Sequence, residues 1–179
     1  MNKSEALNFV NILKQTYPDA QCSLDFNTPF QLAVAVMLSA QCTDERVNKT
    51  TPILFKKCKT IDDFKNIDIN ELENIIHPCG FYKNKAKNIK LCAKQVIENF
   101  NGKLPHSMPE LLTLSGIGRK SANVIILEVF KNPQGIAVDT HAKRISNLVG
   151  LSDEKDPLKI EQDLLKIFSK NEASILIFS

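Results

Sequence analysis

Apolar residues recur along this chain at spacings of three and four, and the alternation that is typical of half-buried strands is absent. Residues that cap helices stand in front of several apolar segments, among them Thr28, Asp68 and Ser107. Glycine follows others, as Gly80 does. The pattern therefore predicts an all-α protein.

The helices that this pattern predicts share an apolar stripe and a recognisable start or stop. They cover 4–16, 30–40, 44–57, 60–64, 68–80, 83–100, 107–114, 119–130, 140–148 and 156–168, with Ser4 expected to cap the first. The segment 30–40 is almost uncharged, so we expect that helix at the centre of the core.

Composition excludes several classes of protein. No apolar run approaches the roughly 18 residues of a membrane span, and the N-terminus shows no signal-like segment. We therefore expect a cytoplasmic, nucleoid-associated protein. The five cysteines include no C-x-x-C pair and the histidines have no metal-ligand spacing, which indicates reduced, mostly buried thiols and no metal site.

Charge is distributed unevenly although the net charge is only +3. Acidic residues dominate 61–76, whereas 83–94 carries five lysines and no acid. Lys83, Lys87, Lys90 and Lys94 follow one another at spacings of four, three and four, so they are predicted to form one basic face of a helix. Such a face is either simply solvated or follows the phosphates of a polyanion.

A glycine hairpin is predicted at Leu114-Ser115-Gly116-Ile117-Gly118-Arg119-Lys120, where one helix ends and another begins. Glycines at such a place let a backbone phosphate approach bare N–H groups, which binds DNA without reading its sequence. An ordinary helix–turn–helix hairpin is the alternative. Arg119 and Lys120 directly after the turn favour DNA binding.

Lys120 and Asp139 are the candidate catalytic residues. A lysine in the first turn of a helix is unfavourable for the helix dipole, which suggests a role other than stability, such as that of a nucleophilic amine. Asp139 is placed to cap the next helix, where N–H donors would keep its carboxylate ionised beside a cationic sugar. A solvated lysine and a purely structural cap are the alternatives.

Gln41 and Phe81 stand at helix ends beside polar or glycine breaks. Either side chain could pack or cap locally. Either could instead fill the gap that an extruded base leaves in a duplex.

Four motifs together resemble the endonuclease III family of the helix-hairpin-helix DNA glycosylase superfamily. They are Leu38-Ser39-Ala40-Gln41-x-Thr43-Asp44, Gly80-Phe81-Tyr82-x-x-Lys85-Ala86, Leu114-x-Gly116-Ile117-Gly118-Arg119-Lys120-x-Ala122-Asn123-Val124 and Val138-Asp139-Thr140-His141-x-x-Arg144. The resemblance runs in order from about residue 5 to the last residue. It implies two lobes: a six-helix barrel over 22–132, with the helix-hairpin-helix motif at about 107–130, and a second lobe formed by 1–21 with 133–179.

The resemblance also implies a reaction on double-stranded DNA that carries damaged bases or abasic sites. An oxidised pyrimidine is flipped out, Lys120 attacks C1′ of its sugar, Asp139 stabilises the developing charge, and β-elimination nicks the strand. Lys120 separates this bifunctional type from adenine-excising relatives, which usually lack the lysine. Excision of thymine or uracil from mismatches is a related alternative.

The remaining roles follow from the same motif match. Gln41 would fill the vacated stack and Phe81, where relatives usually have leucine, would wedge the opposite strand. Gly116 and Gly118 would offer amides to a phosphate, beside the basic Arg119. His141 and Arg144 would contact the DNA backbone or support residues that do, and Lys83 and Lys87 would follow phosphates. The family also implies a monovalent cation at the hairpin carbonyls.

Two departures from the family pattern change the expectation. Ser115 replaces the proline that usually precedes the first hairpin glycine. Most relatives continue past the position of Ser179 into Cys-x6-Cys-x2-Cys-x5-Cys, which binds a [4Fe–4S] cluster. None of the five cysteines here matches that pattern, so we expect a sequence that stops before the motif, no cluster in this chain, and exposed apolar residues within 175–178.

Two classes of function remain. The first is a DNA glycosylase with lyase activity, acting as a monomer. The second is a catalytically impaired helix-hairpin-helix module that grips damaged or abasic DNA because its second lobe is incomplete.

Overall fold

The computed structural model describes residues 2–18 and 22–169, and every regular element within these ranges is helical. The prediction of an all-α fold is confirmed. The α-helices are α1 (Lys3–Thr16), α2 (Pro29–Ser39), α3 (Asp44–Lys57), α4 (Ile61–Asn66), α5 (Ile69–Ile76), α6 (Tyr82–Phe100), α7 (Met108–Leu111), α8 (Arg119–Ile125), α9 (Thr140–Leu148) and α10 (Pro157–Ile167). A 3₁₀ turn (His77–Cys79) precedes α6, and a π-helical turn (Ile126–Phe130) follows α8.

The chain divides into two compact units. One contains Ser23–Ile125, and the other combines Met1–Cys22 with Ile126–Ser179. The second boundary thus falls at Ile126, whereas the sequence prediction places it after residue 132. The barrel arrangement stays a prediction.

The unit of Ser23–Ile125 is organised around α2. Every residue from Phe30 to Leu38 is buried, and α2 packs on α3, α6 and α8. Phe30 meets the fully buried Phe64 edge-on, with ring centroids 5.3 Å apart. Burial of each such side chain contributes about 2–3 kcal/mol. The central position that the uncharged sequence of α2 predicts is confirmed.

The other unit has a core of its own that joins the start of the chain to its later helices. Its buried apolar residues are Ala6, Val10, Ile136, Val138, Leu151, Ile160, Leu164 and Phe168. Ile136 and Val138 belong to the short segment before α9, so this core holds the backbone that leads to Asp139.

Local capping sets most helix starts where the sequence predicts them. Thr28, Asp68 and Ser107 accept hydrogen bonds from first-turn N–H groups of α2, α5 and α7. The prediction for α1 is wrong, because Asn2 and not Ser4 is the cap. Asn2 and Glu5 form a reciprocal capping box, which satisfies two N–H groups at once.

The apolar residues predicted to be exposed within 175–178 lie outside the described residues. Among the residues that the structure describes, no helix is both long and apolar enough to cross a membrane.

Candidate active site

The predicted glycine hairpin joins α7 to α8 and is tied to α6 by one side chain. The Ser115 N–H donates to Oε1 of Gln95 at 2.8 Å, and Nε2 of Gln95 donates to the Thr113 carbonyl at 3.3 Å. Within the hairpin, the Ile117 N–H donates to the Leu114 carbonyl. Ser115 thus supplies an N–H that a proline at this position could not.

The two hairpin glycines serve different purposes. Gly116 has a φ of +79°, and an added Cβ would lie 2.7 Å from Sδ of Met37 and 3.0 Å from Cβ of Asn88. Gly118 does not have a positive φ, and a Cβ there would meet no atom within 4 Å. Gly116 is therefore required by the protein itself, whereas the space beside Gly118 is open to an outside group.

The hairpin presents unpaired N–H groups next to two exposed basic side chains. Within the described part of the chain, the backbone N–H groups of Gly116, Gly118 and Lys120 donate to no acceptor. Arg119 and Lys120 follow in the first turn of α8, and both are exposed. Bare N–H groups beside positive charge form a binding site for an anion such as a phosphate.

Asp139 caps α9 in the unit that also contains α1 and α10. Its Oδ1 accepts from the Ala142 N–H at 2.8 Å, and the carboxylate has no other hydrogen bond within the described residues. The side chain is partly exposed, so its second oxygen is available to a ligand. His141 and Arg144 are exposed on the same helix.

The structure brings Gln41, Phe81 and Gly116 together around one hollow of about 250 Å³. Gln41 has a φ of 54° and Phe81 a φ of 47°, and non-glycine residues rarely adopt this left-handed conformation. Both side chains are exposed, Phe81 by 66%. A large aromatic side chain held out into solvent on a strained backbone indicates a functional position.

Sequence reasoning gave no role to five further residues that line this hollow. They are Met37, Ala40, Asn84, Lys85 and Asn88. The sequence could have pointed to Lys85. It precedes Ile89 by four residues, so a charged side chain lies on the apolar face of α6.

The predicted basic face of α6 is wrong in part. Lys83 and Lys87 are exposed, but Nζ of Lys90 turns inward and donates to the carbonyls of Lys65 and Ile67. Lys94 pairs with Glu98 at 3.9 Å. Tertiary packing offers Lys90 two backbone acceptors, which the spacing of lysines along one helix cannot reveal.

The cysteines are free thiols, and three of them are buried, namely Cys58, Cys79 and Cys92. Burial raises the pKa of Cys58 to about 11 and that of Cys92 to about 12, so both stay protonated at neutral pH. Among the described residues, no three His, Cys, Asp or Glu side chains are grouped to hold a metal ion. These residues do not fit an iron–sulfur cluster, and the expectation about cofactors stays a prediction.

A family model places this architecture among known proteins. The model of the HhH-GPD superfamily base excision DNA repair proteins matches residues 34–170. That stretch includes the hairpin, Lys120 and Asp139.

Individual proteins agree with the family model. The chain is 49% identical over 165 residues to endonuclease III of a Synechocystis species, which covers 92% of this chain and 75% of that protein. It is 43% identical over 160 residues to endonuclease III of Bacillus subtilis, covering 89% and 73%. It superposes with a TM-score of 0.95 and 40% identity on a trapped covalent intermediate of endonuclease III with DNA, covering 99% of this chain and 84% of that one.

Proposed function

Because the chain belongs to the HhH-GPD superfamily of base excision DNA repair proteins, we propose that it is a DNA glycosylase with lyase activity. We propose oxidised pyrimidines in duplex DNA as its substrates. The observation that carries the proposal is the exposed amine of Lys120 directly after a hairpin in which the N–H groups of Gly116 and Gly118 have no acceptor among the described residues.

The hairpin would hold the DNA by its backbone. The open N–H groups of Gly116 and Gly118 suit a phosphate oxygen, and the free space beside Gly118 admits it. Arg119, Lys83 and Lys87 would add sequence-independent attraction, which weakens as salt rises. A monovalent cation at the hairpin carbonyls is part of the same proposal.

Lys120 would act as the nucleophile. Its neutral amine forms a bond to C1′ of the flipped nucleotide while the N-glycosidic bond breaks, and the base leaves with that electron pair and gains a proton. The sugar ring opens to a protonated imine on Nζ. Loss of a C2′ proton then expels the 3′ phosphate, which nicks the strand.

Asp139 would stabilise positive charge at the sugar as the base departs. Its Oδ1 is engaged by the Ala142 N–H, which orients the carboxylate. The other oxygen would face the sugar. His141 and Arg144 on the same helix would contact the DNA backbone or support the residues that do.

Gln41 and Phe81 would enter the duplex when the damaged nucleotide leaves it. Both are exposed beside the hollow that also includes Gly116. An inserted side chain offsets the loss of base stacking, which amounts to a few kcal/mol in general. We further propose that the protein works as a monomer on nucleoid DNA.

Borohydride trapping tests the chemistry. The chain is incubated with duplex DNA that carries thymine glycol, and separately with duplex DNA that carries an abasic site. Borohydride reduces the imine, so a covalent protein–DNA adduct on both substrates is expected. Lys120→Ala should abolish the adduct and leave DNA binding largely intact, while Lys103→Ala removes another exposed lysine of the same unit as a control.

The other outcomes separate the alternatives. An adduct on abasic DNA alone would mean that the protein is a lyase without lesion capture. DNA binding without any adduct would identify the impaired binding module. Undiminished trapping by Lys120→Ala would place the nucleophile elsewhere.

A further inference from the structure

Lys85 of α6 has a buried ammonium group that bonds only to backbone oxygen atoms. The residue is 6% exposed. Its Nζ donates to the carbonyls of Leu38 at 2.8 Å, Ala40 at 2.8 Å and Cys79 at 2.9 Å. An ammonium group has three protons, so its donor capacity is used in full.

No carboxylate offsets this buried charge. Among the described residues, none lies within ion-pair distance of Nζ of Lys85. Burial lowers the pKa of Lys85. The hydrogen bonds to three carbonyl oxygens stabilise the ammonium group against that burial. A cation in such a place is unfavourable for stability unless its hydrogen bonds are all made, which indicates a specific purpose.

The three carbonyls lie at the ends of two helical segments. Leu38 and Ala40 belong to the last turn and the cap of α2, and Cys79 closes the 3₁₀ turn before α6. Carbonyls at a helix end have no partner within the helix, and a cation there is favoured by the helix dipole. Lys85 therefore caps both segments at once and ties them together.

Each tied segment runs directly into a strained residue. Gln41 follows Ala40 with a φ of 54°, and Phe81 follows Cys79 and Gly80 with a φ of 47°. A left-handed conformation persists at a non-glycine residue only where the surroundings enforce it. Lys85 donates to the Ala40 carbonyl, one residue before Gln41, and to the Cys79 carbonyl, two residues before Phe81. This side chain is therefore placed to hold both residues in the left-handed conformation.

We propose that Lys85 is a positioning residue that holds the strained backbones of Gln41 and Phe81 so that both side chains enter the duplex together. The inference rests on the proposed function, in which these two residues fill the space of the flipped nucleotide. Both residues and Lys85 line the same hollow of about 250 Å³. Lys85 contacts no reacting atom in this scheme and acts only through the two segments.

Lys85→Met keeps the length of the stem and removes every donor. Three carbonyls, two of them in the buried residues Leu38 and Cys79, then lose their partner, and Gln41 and Phe81 are free to relax toward ordinary backbone angles. In single-turnover assays with duplex thymine glycol, base release should slow about tenfold or more. Borohydride trapping on an abasic duplex should change by no more than about threefold, because no base has to be extruded there.

Fluorescence reports on the insertion itself. The probe is 2-aminopurine opposite the lesion, which brightens when it loses stacking, and chemistry is blocked by Lys120→Ala. Binding should raise the fluorescence with an intact Lys85, and the rise should be absent with Lys85→Met at saturating protein. A merely structural lysine would lower the melting temperature without changing this signal.

Lys90→Met is the matched control. Lys90 lies on the same helix, and its Nζ also donates to backbone carbonyls, those of Lys65 and Ile67. Neither carbonyl belongs to the segments of Gln41 or Phe81. This variant should melt at a lower temperature and yet keep the base-release rate and the fluorescence rise.

Each remaining outcome decides the matter. Wild-type base release and fluorescence in a folded Lys85→Met protein would overturn the inference, as would equal losses in the Lys90→Met protein. If Lys85→Met does not fold, Lys85→Arg is measured in the same way. If neither variant folds, Lys85 is needed for folding and the proposed positioning role is rejected. A wild-type chain that neither releases base nor forms the adduct would instead contradict the proposed function.

Discussion

A methyl group on Gly116 would lie 2.7 Å from Sδ of Met37, a residue of the buried helix α2. Real Cβ atoms do not approach another atom so closely. The glycine hairpin is therefore seated against the centre of its unit, which fixes the position from which α8 and Lys120 begin.

The two hairpin glycines should respond differently to alanine. Gly116→Ala combines a clash with a positive φ, so we expect a loss of about 1–3 kcal/mol in the free energy of unfolding. Gly118→Ala should stay within about 0.5 kcal/mol of wild type, since nothing lies within 4 Å of the added Cβ. It should nevertheless weaken DNA binding about tenfold, because the methyl group would occupy space meant for a phosphate.

Urea unfolding and DNA titration at one fixed salt concentration measure these effects. Met37→Ala combined with Gly116→Ala should cost less than the sum of the single changes, because the clash is removed. Equal DNA affinity for Gly118→Ala and wild type would contradict the assignment of Gly118 to a phosphate.

Replacing Asp139 with asparagine should separate its role in catalysis from its role as a helix cap. Asparagine caps a helix as well as aspartate does, so Asp139→Asn should change stability by less than about 0.5 kcal/mol. It should slow base release at least about 100-fold, because the negative charge at the sugar is lost.

Asp156 is the matched control, since it caps α10 of the same unit by accepting from the N–H groups of Leu158 and Lys159. Asp156→Ala should lower stability by about 1 kcal/mol and leave the rate unchanged. If the two caps affected base release alike, Asp139 would be only a structural residue. Single-turnover kinetics measure the rate of base release, and thermal melting measures the stability of each variant.

The segment that leads to Asp139 depends on a buried carboxyl group. Glu161 of α10 is 2% exposed, and its Oε1 accepts from the Ile136 N–H at 3.0 Å. Glu161→Ala should lower the free energy of unfolding by about 2–3 kcal/mol, through a lost hydrogen bond and a cavity. Glu161→Gln retains an acceptor at the same place and should cost less. Chemical denaturation compares them, and an equal cost for the two variants would contradict a role for the acceptor.

Buried thiols should make the protein less stable at high pH. Burial raises the pKa of Cys92 from 9.0 to about 12, so above pH 9 the unfolded chain loses this proton while the folded chain keeps it. The contribution of Cys92 to stability is complete below pH 9 and is lost as pH rises through the folded value. Between pH 9 and the folded-state pKa, this group lowers the free energy of unfolding by up to about 1.4 kcal/mol per pH unit.

Other groups titrate in the same pH range, so the contribution of Cys92 is measured by comparing wild type with a variant that lacks this thiol. The free energy of unfolding of wild type minus that of Cys92→Ala should fall between pH 9 and pH 11. A difference that stays flat with pH would show that the Cys92 thiol ionises equally in both states.

Most of the local structure could be predicted from residues that are close together in the chain. Thr28, Asp68 and Asp139 cap helices where expected, because a cap needs only its own side chain and an N–H group two or three residues ahead. The motif of Gly116 to Lys120 likewise lies within one short stretch. Its family is confirmed by the match over residues 34–170.

Packing between distant segments sets which polar side chains turn inward. Lys85 bonds to a carbonyl 47 residues away, and Lys90, which the sequence places on the basic face of α6, bonds to one 25 residues away. Helical spacing places a residue on one side of its own helix and says nothing about the backbone acceptors that pack against that side. Those acceptors come from distant segments, and packing alone brings them within hydrogen-bonding distance.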